Sequence, residues 1–317
     1  MNFDALKSYR QYYNLRQTQV CAGLCPLSTY SRIEQGQTVP AFSLAEALFG
    51  RMGQEACTLS PVLSQADVRL TGLRLEIENM ILNERLDEAV AALAQFEALL
   101  PKGQPLYQQI LLYLKAELNH PDHMPSDISE TEAEGQKEAA KELLLAAWKV
   151  TKGSNIISED ELYTPLEIRI LLGLIHLESP AWNRTDLISQ LELLIQKIDR
   201  YFTGRSAIEL RTACMWEMIC QGEKEWSDHD ILEKTDEAIR SLSNWYDYRT
   251  TAKLHQKKAQ VLARLTERPG DNAALREQCI LECRMCYHIY ETLHQDFRMQ
   301  EIARFCLEKT GVDITVV

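Results

Sequence analysis

Residues 15–40 read LRQTQVCAGLCPLSTYSRIEQGQTVP. Gln17 to Gly23 makes a short helix with Val20 facing inward. A tight connection through Leu24 and Cys25 reaches Pro26, whose missing N–H costs nothing in a first helical turn. The next helix runs from about Leu27 to Gln35 and stops at Gly36, with Pro40 marking a turn beyond. Tyr30 and Ile33 lie three apart in it and should pack inward. On the N-terminal side, residues 4–13 set Leu6, Tyr9, Arg10 and Tyr13 along one face, and Asn14 tolerates the left-handed conformation that ends a helix. On the C-terminal side, Ser43 and Glu46 have capping-box spacing at the start of a helix carrying Leu44, Leu48 and Met52. Four or five short helices in the first sixty residues, joined by one three-residue turn, are the helix-turn-helix plan.

The same run resembles the Xre/Cro-type helix-turn-helix, which reads roughly L-[ST]-Q-x-x-L-A/S, then a turn, then S-R-I-E-x-G, then Pro. The match covers about residues 5–53 and centres on Gln17, on Ser31, Arg32, Ile33 and Glu34, and on Gly36. The turn is one residue shorter than in the phage-repressor form. That spacing is similar to the PlcR-like members of the peptide-sensing regulators, the Rap, Rgg, NprR, PlcR and PrgX group. Arg16 stands where the family has a Ser or Thr cap, which would fray the start of the second helix, and Cys21 stands where it has Ala or Ser. The resemblance implies that Arg10 pairs with Glu34 across the domain.

Roles on DNA follow from helix geometry. The N-terminal part of the Leu27–Gln35 helix should enter the major groove, so that Leu27, Ser28 and Thr29 face base edges. Ser and Thr hydroxyls serve donor or acceptor edges, and Leu27 suits a thymine methyl. Arg32, one turn on, is placed for a phosphate, as are Gln17 at the start of the preceding helix and Gln37.

Composition bounds the rest. Of 317 residues, 45% are hydrophobic and 25% charged, which excludes a disordered, collagen-like or low-complexity chain. With only 13 Gly and 10 Pro, and little alternation of β-branched with polar residues, the expectation is an all-α protein. No apolar run approaches the roughly 18 residues of a membrane span. The N-terminus lacks the apolar core of a signal peptide, so a cytoplasmic protein without membrane contact is expected. Nine cysteines, an odd number, read as reduced thiols. The net charge is −12, but five basic and four acidic residues give the first sixty a charge of +1, which leaves −13 on residues 61–317. Phosphate would be repelled by that acidic bulk, so contact with double-stranded DNA should come from residues 1–60.

From residue 61 the chain reads as successive amphipathic helices over about 66–83, 86–100, 104–119, 135–151, 160–178, 184–203, 206–221, 229–246, 249–266, 271–293 and 295–310. Asn119–Glu134, polar and acidic with Pro121 and Pro125, reads as a loop. Residues 73–107 echo the 34-residue tetratricopeptide pattern, with Leu73, small Ala89, Pro101 and Tyr107. A second echo has a 42-residue offset: Leu166-Glu-Ile-Arg169, Ile208-Glu-Leu-Arg211 and Thr250-Thr-Ala-Lys253. This resembles the degenerate tetratricopeptide array of the same regulators. Residues 1–60 are then a helix-turn-helix domain. Residues 61–317 are a right-handed α-solenoid whose concave groove takes a short signalling peptide and whose body forms a homodimer.

In that groove Arg169, Arg211 and Lys253 would form a basic row for a peptide carboxylate; alternatively they extend to solvent or pair with a nearby Glu. Trp216 is a groove aromatic or a core residue. Cys279, Cys283 and Cys286 make C-x3-C-x2-C, but spacings of four and three put them on one helical stripe, as a core of small apolar side chains requires. His288 and His294 do not complete a zinc spacing. No phosphate loop, Ser/His/Asp constellation or H-E-x-x-H motif occurs, so neither an enzyme nor a cofactor is expected. The leading reading is a quorum-sensing transcription regulator. Its rivals are a protein-interaction scaffold with a non-essential helix-turn-helix and a cysteine-based metal- or redox-sensing regulator.

Overall fold

The computed structural model describes residues 4–54, 64–120, 129–152, 157–177, 187–223, 225–242, 247–268 and 272–315. Fifteen α-helices and no strand occur among them. The proposed domain boundary at residue 60 lies outside the described residues. The chain divides into two compact units: Met1–Thr185 with Lys197–Thr203, and Asp186–Gln196 with Gly204–Val317.

The first unit opens with four short helices: α1 (Asp4–Tyr12), α2 (Gln17–Cys21), α3 (Leu27–Glu34) and α4 (Phe42–Gly50). Leu6, Val20, Tyr30, Ile33, Leu48 and Phe49 fill their common core, as the spacing requires. Asn14 ends α1 with φ 54°. Arg10 grips Glu34 from two nitrogens, Nε to Oε1 at 2.6 Å and Nη2 to Oε2 at 3.1 Å, and its Nη1 donates to the Leu15 carbonyl at 3.0 Å. The α2 start, which lacks a Ser or Thr cap, is satisfied differently: the Gln19 side chain accepts from the Arg16 amide at 2.9 Å. Ser43 and Glu46, by contrast, do not form a capping box. The helix begins at Phe42, two residues earlier than their spacing needs, and both side chains turn to tertiary partners. Ser43 donates to Gln104, and Glu46 takes a bidentate pair from Arg74 at 2.8 and 3.1 Å.

Beyond these come α5 (Gln65–Leu82), α6 (Leu86–Leu99), α7 (Pro105–Leu118), α8 (Glu130–Lys149) and α9 (Pro165–His176). Each packs on the next in sequence, the nearest-neighbour pattern of a repeat array. Their starts are written locally. Ser64 with Asp67, Ser129 with Glu132 and Thr164 with Glu167 are reciprocal capping boxes, and Pro105 and Pro165 sit in first turns. The Ser129 box corrects the reading of 119–134 as a loop. A carboxylate near a helix N-terminus is favoured by its dipole, and Glu132 serves there as the partner of Ser129. Residues 121–128 lie outside the described residues. Ala89 and Tyr107, two of the repeat positions, are buried. Val68, Leu75 and Leu82 of α5, seven residues apart, are exposed on the face opposite buried Leu70, Ile77 and Ile81.

Helix α10 (Leu187–Tyr201) contributes to both units. The second unit continues with α11 (Gly204–Gly222), α12 (Asp228–Leu242), α13 (Tyr248–Thr266), α14 (Ala273–Thr292) and α15 (Asp296–Thr310), again each packed on the next. Cys279, Cys283 and Cys286 of α14 are fully buried with Cys306 of α15 against Ala252, Ala259 and Leu262 of α13. The Cys279 and Cys286 thiols donate to the Ala259 and Ala252 carbonyls, each at 3.4 Å, and burial pushes Cys286 up to about 12. The cysteine stripe is therefore packed in the core of this unit. No group of three or more potential metal ligands occurs among the described residues. No described helix is long and apolar enough to cross a membrane.

Candidate nucleic-acid interface

Helix α3 has two faces. Tyr30, Ile33 and Glu34 are buried, whereas Leu27, Ser28, Arg32 and Gln35 are exposed and Thr29 and Ser31 half-buried. The Arg10 clasp on Glu34 seats the inner face. Burial pushes the Glu34 carboxyl up, but hydrogen bonds from Arg10 and Gln17 outweigh it and hold the group below the ordinary carboxylate value. The outer face is a polar stripe at positions 28, 31, 32 and 35, the i, i+3, i+4, i+7 set of one helix side. Gln35 donates to Ser31 Oγ at 3.2 Å and accepts from Gln37 at 2.9 Å, so Ser31, Gln35 and Gln37 form a small amide–hydroxyl array beside Arg32. Ser31 and Gln35 belong to the face although the motif roles did not single them out; the spacing from Ser28 was the signal for both.

The structure brings Leu27, Ser28, Thr29, Arg32 and Gln37 to one exposed region around α3. Gln17 is placed differently: half-buried, it donates its amide to Glu34 Oε2 at 2.7 Å. Arg16, mostly exposed at the start of α2, lies 3.8 Å from Asp160.

Of the residues singled out for the groove, Arg169 belongs to the first unit, and Arg211, Trp216 and Lys253 belong to the second. Arg169 projects from α9 with its guanidinium 4.0 Å from Glu78 of α5. Glu167, two residues before it, faces the other way and is fully buried. In the second unit Arg211 pairs with Glu237 of α12 at 2.9 Å and donates to Ser241 at 2.8 Å. Glu209 is engaged by Arg205, 2.5 Å away. Trp216 is half-buried against the core around Met215, Ile219 and Ile231, and the Lys253 ammonium lies 6.0 Å from its ring centroid. Trp216 thus packs and carries a cation at once, which its sequence position could not distinguish.

No family model matches the chain, and no curated protein matches it in sequence. Three solved structures are similar. PlcR of Bacillus thuringiensis, in complex with the peptide PapR7 and DNA, is 11% identical with a TM-score of 0.56, over 95% of this chain and 98% of that one. The apo form of the competence regulator ComR from Streptococcus vestibularis is 13% identical with a TM-score of 0.45, over 98% of each chain. ComR from S. thermophilus, in complex with DNA and its signalling peptide ComS, is 12% identical with a TM-score of 0.39, over 98% of this chain and 100% of that one. Four short helices around the Arg10–Glu34 clasp, followed by helices that stack in sequence, give this chain the all-helical fold of PlcR.

Proposed function

We propose that the protein is a cytoplasmic, peptide-responsive transcription regulator of the quorum-sensing kind. Residues 1–60 read double-stranded DNA through α3, and residues 61–317 bind a short signalling peptide and hold a homodimer. The observation that carries this reading is the two-faced α3. Its inner face is clamped by Arg10 and Glu34, and its outer face presents Ser28, Ser31, Arg32 and Gln35 to solvent. A rigid helix offering hydroxyls, an amide and one cation is a base-reading surface in search of a groove. PlcR, whose fold the chain shares, was solved with a peptide and DNA together.

One helix-turn-helix buries too little surface for tight binding, so two heads on a two-fold site are expected. The exposed Val68–Leu75–Leu82 seam on α5 supports a second copy as partner. Seven-residue spacing is what a helix pair interdigitates, and oppositely charged Arg69 and Glu76 flank the seam one heptad apart. For the peptide, Lys253 beside the Trp216 ring and Arg211, paired with Glu237, are the candidate residues of the second unit, suited to a peptide carboxylate next to an apolar side chain.

The test is selection of duplexes from a random library by the full-length protein, followed by the Ser28→Ala/Thr29→Ala double variant on the winners. Enrichment of a two-fold sequence in the wild type, with discrimination reduced by about 1–3 kcal/mol for each lost base contact, is expected. Failure of the wild type to enrich any sequence overturns the regulator reading.

A further inference from the structure

The helix-turn-helix is not tethered loosely to the helices that follow it. Arg51, just past the end of α4, has a fully buried side chain, as has Glu167 in the first turn of α9; Nη2 of the one meets Oε1 of the other at 2.9 Å. The other end of the Arg51 guanidinium reaches back into the reading head: Nη1 donates to the Val20 carbonyl at 3.0 Å and to the Ala22 carbonyl at 2.5 Å. Those carbonyls close α2 and open the turn into α3. Glu167 is itself held by the Thr164 amide at 2.7 Å, with the Lys152 ammonium 4.0 Å away. Burial pushes its carboxyl up, but the Arg51 and Lys152 charges outweigh that and keep it ionised below the ordinary carboxylate value. One ion pair thus ties the turn of the helix-turn-helix to the cap of a repeat helix 116 residues away.

The surrounding contact is close. Gly23, in the same turn with φ +71°, lies against the Thr151 carbonyl; a Cβ there would stand 2.0 Å from that oxygen. Gly50 abuts the Pro165 ring, and Gly53 abuts the Tyr201 carbonyl, to which the Tyr13 hydroxyl donates at 3.3 Å. Gln19 of α2 donates to the Asp160 carbonyl at 3.3 Å. The docked surface thus comprises α1, α2, the turn and the end of α4, and it leaves Leu27, Ser28, Arg32 and Gln35 of α3 exposed. Docking therefore leaves the reading face uncovered.

We propose that Arg51 and Glu167 are positioning residues for DNA recognition: they fix the direction in which α3 points by locking the turn before it to α9. The inference rests on the DNA-reading function proposed above. A dimer whose heads are locked to its body accepts only the half-site spacing that the body sets, because a shift of one base pair also rotates the groove. A dimer whose heads swing on their connections accepts several. Arg169, two residues from Glu167 on the outer side of α9, lies 4.0 Å from Glu78 of α5, so α9 is joined both to the head and to the repeat helices. A displacement of α9 would therefore reach α3 through one ion pair.

The test uses the full-length protein and the Arg51→Met/Glu167→Gln double variant. Removing both charges together avoids stranding one of them in the interior. Fluorescein-labelled duplexes selected by the wild type, and the same duplexes with one or two base pairs inserted between half-sites, are titrated by anisotropy. The wild type should lose at least tenfold in affinity on each insertion. The variant should lose at least tenfold on the selected duplex, bind all spacings within about twofold of one another, and keep its preference against base changes inside a half-site. Amides of residues 20–34 should exchange faster with solvent in the variant while helicity is unchanged. Should the double variant not fold, Tyr13→Phe/Gln19→Ala, which removes two peripheral docking bonds, should shift spacing preference in the same direction by two- to fivefold. A variant with wild-type affinity and wild-type spacing preference overturns the positioning role. A wild type that enriches no sequence overturns the DNA-reading function beneath it, and the two failures are distinct.

Discussion

Replacing Glu34 by Gln removes one charge and leaves the shape of the side chain nearly unchanged. In the folded head Glu34 accepts from Arg10 Nε at 2.6 Å, from Arg10 Nη2 at 3.1 Å and from Gln17 at 2.7 Å. Its side chain is 3% exposed and that of Arg10 15%. Gln keeps one acceptor oxygen but turns an amide toward a donor, so at least one of these bonds is lost and the guanidinium loses its counter-charge. Breaking one side of a buried pair costs about 3–5 kcal/mol. Arg10 recovers part of that through its residual exposure, so about 2–3 kcal/mol is expected. For a unit of this size each kcal/mol lowers the melting temperature by about 2–4 °C, hence a fall of about 4–12 °C. The dependence on pH has a definite sign. Glu34 is held below its ordinary value of 4.5, so the pair contributes its full stabilisation above that value and loses it as the pH falls through the lower folded-state value. The gap between wild type and variant, read by calorimetry, should be full at pH 7 and should close in stronger acid. Arg10→Met added to Glu34→Gln should cost less than the two single changes summed. A gap below 0.5 kcal/mol at pH 7, or one equally large at pH 3, would refute the argument.

Arg32→Ala should weaken binding to every duplex alike and reduce the slope of log affinity against log salt by about 1, measured by titration at several salt concentrations; loss of discrimination at a single base pair would instead make Arg32 a base reader. Arg211→Gln, which removes the guanidinium that pairs with Glu237, should weaken capture of the signalling peptide at least tenfold in calorimetric titration while the circular dichroism spectrum is unchanged; unaltered capture removes Arg211 from the site. Gly53→Ala should destabilise the first unit by about 2–4 kcal/mol in urea titration, because φ is +66° and the added methyl would meet the Tyr201 carbonyl at 2.0 Å. A variant as stable as the wild type would mean that the head does not rest on that carbonyl.

The head was legible because its determinants are local. Tyr30 and Ile33 lie inward, Asn14 turns left-handed, and the exposed stripe of α3 follows from positions three and four apart, all set by 3.6 residues per turn. Helix starts at Ser64, Ser129 and Thr164 were written within four residues, although the third capping box also supplies the Glu167 that Arg51 needs. Arg10 and Glu34 could be paired because a known motif carries both. No comparable motif joins Arg51 to Glu167, Glu46 to Arg74 or Arg211 to Glu237. Ser43 and Glu46 have the spacing of a cap, yet their partners are Gln104, the residue just before α7, and Arg74 of α5. Periodicity tells which side of a helix is buried but not which neighbour buries it. A charged side chain a few ångströms long finds its partner only once helices distant in sequence have packed. The all-helical class, the reading helix and the cysteine stripe were thus determined by the chain's own pattern. The locking of the head to α9, and the partners that occupy Gln17, Arg169 and Arg211, were decided by tertiary packing, because ion pairs act over a few ångströms of space and not over a fixed interval of sequence.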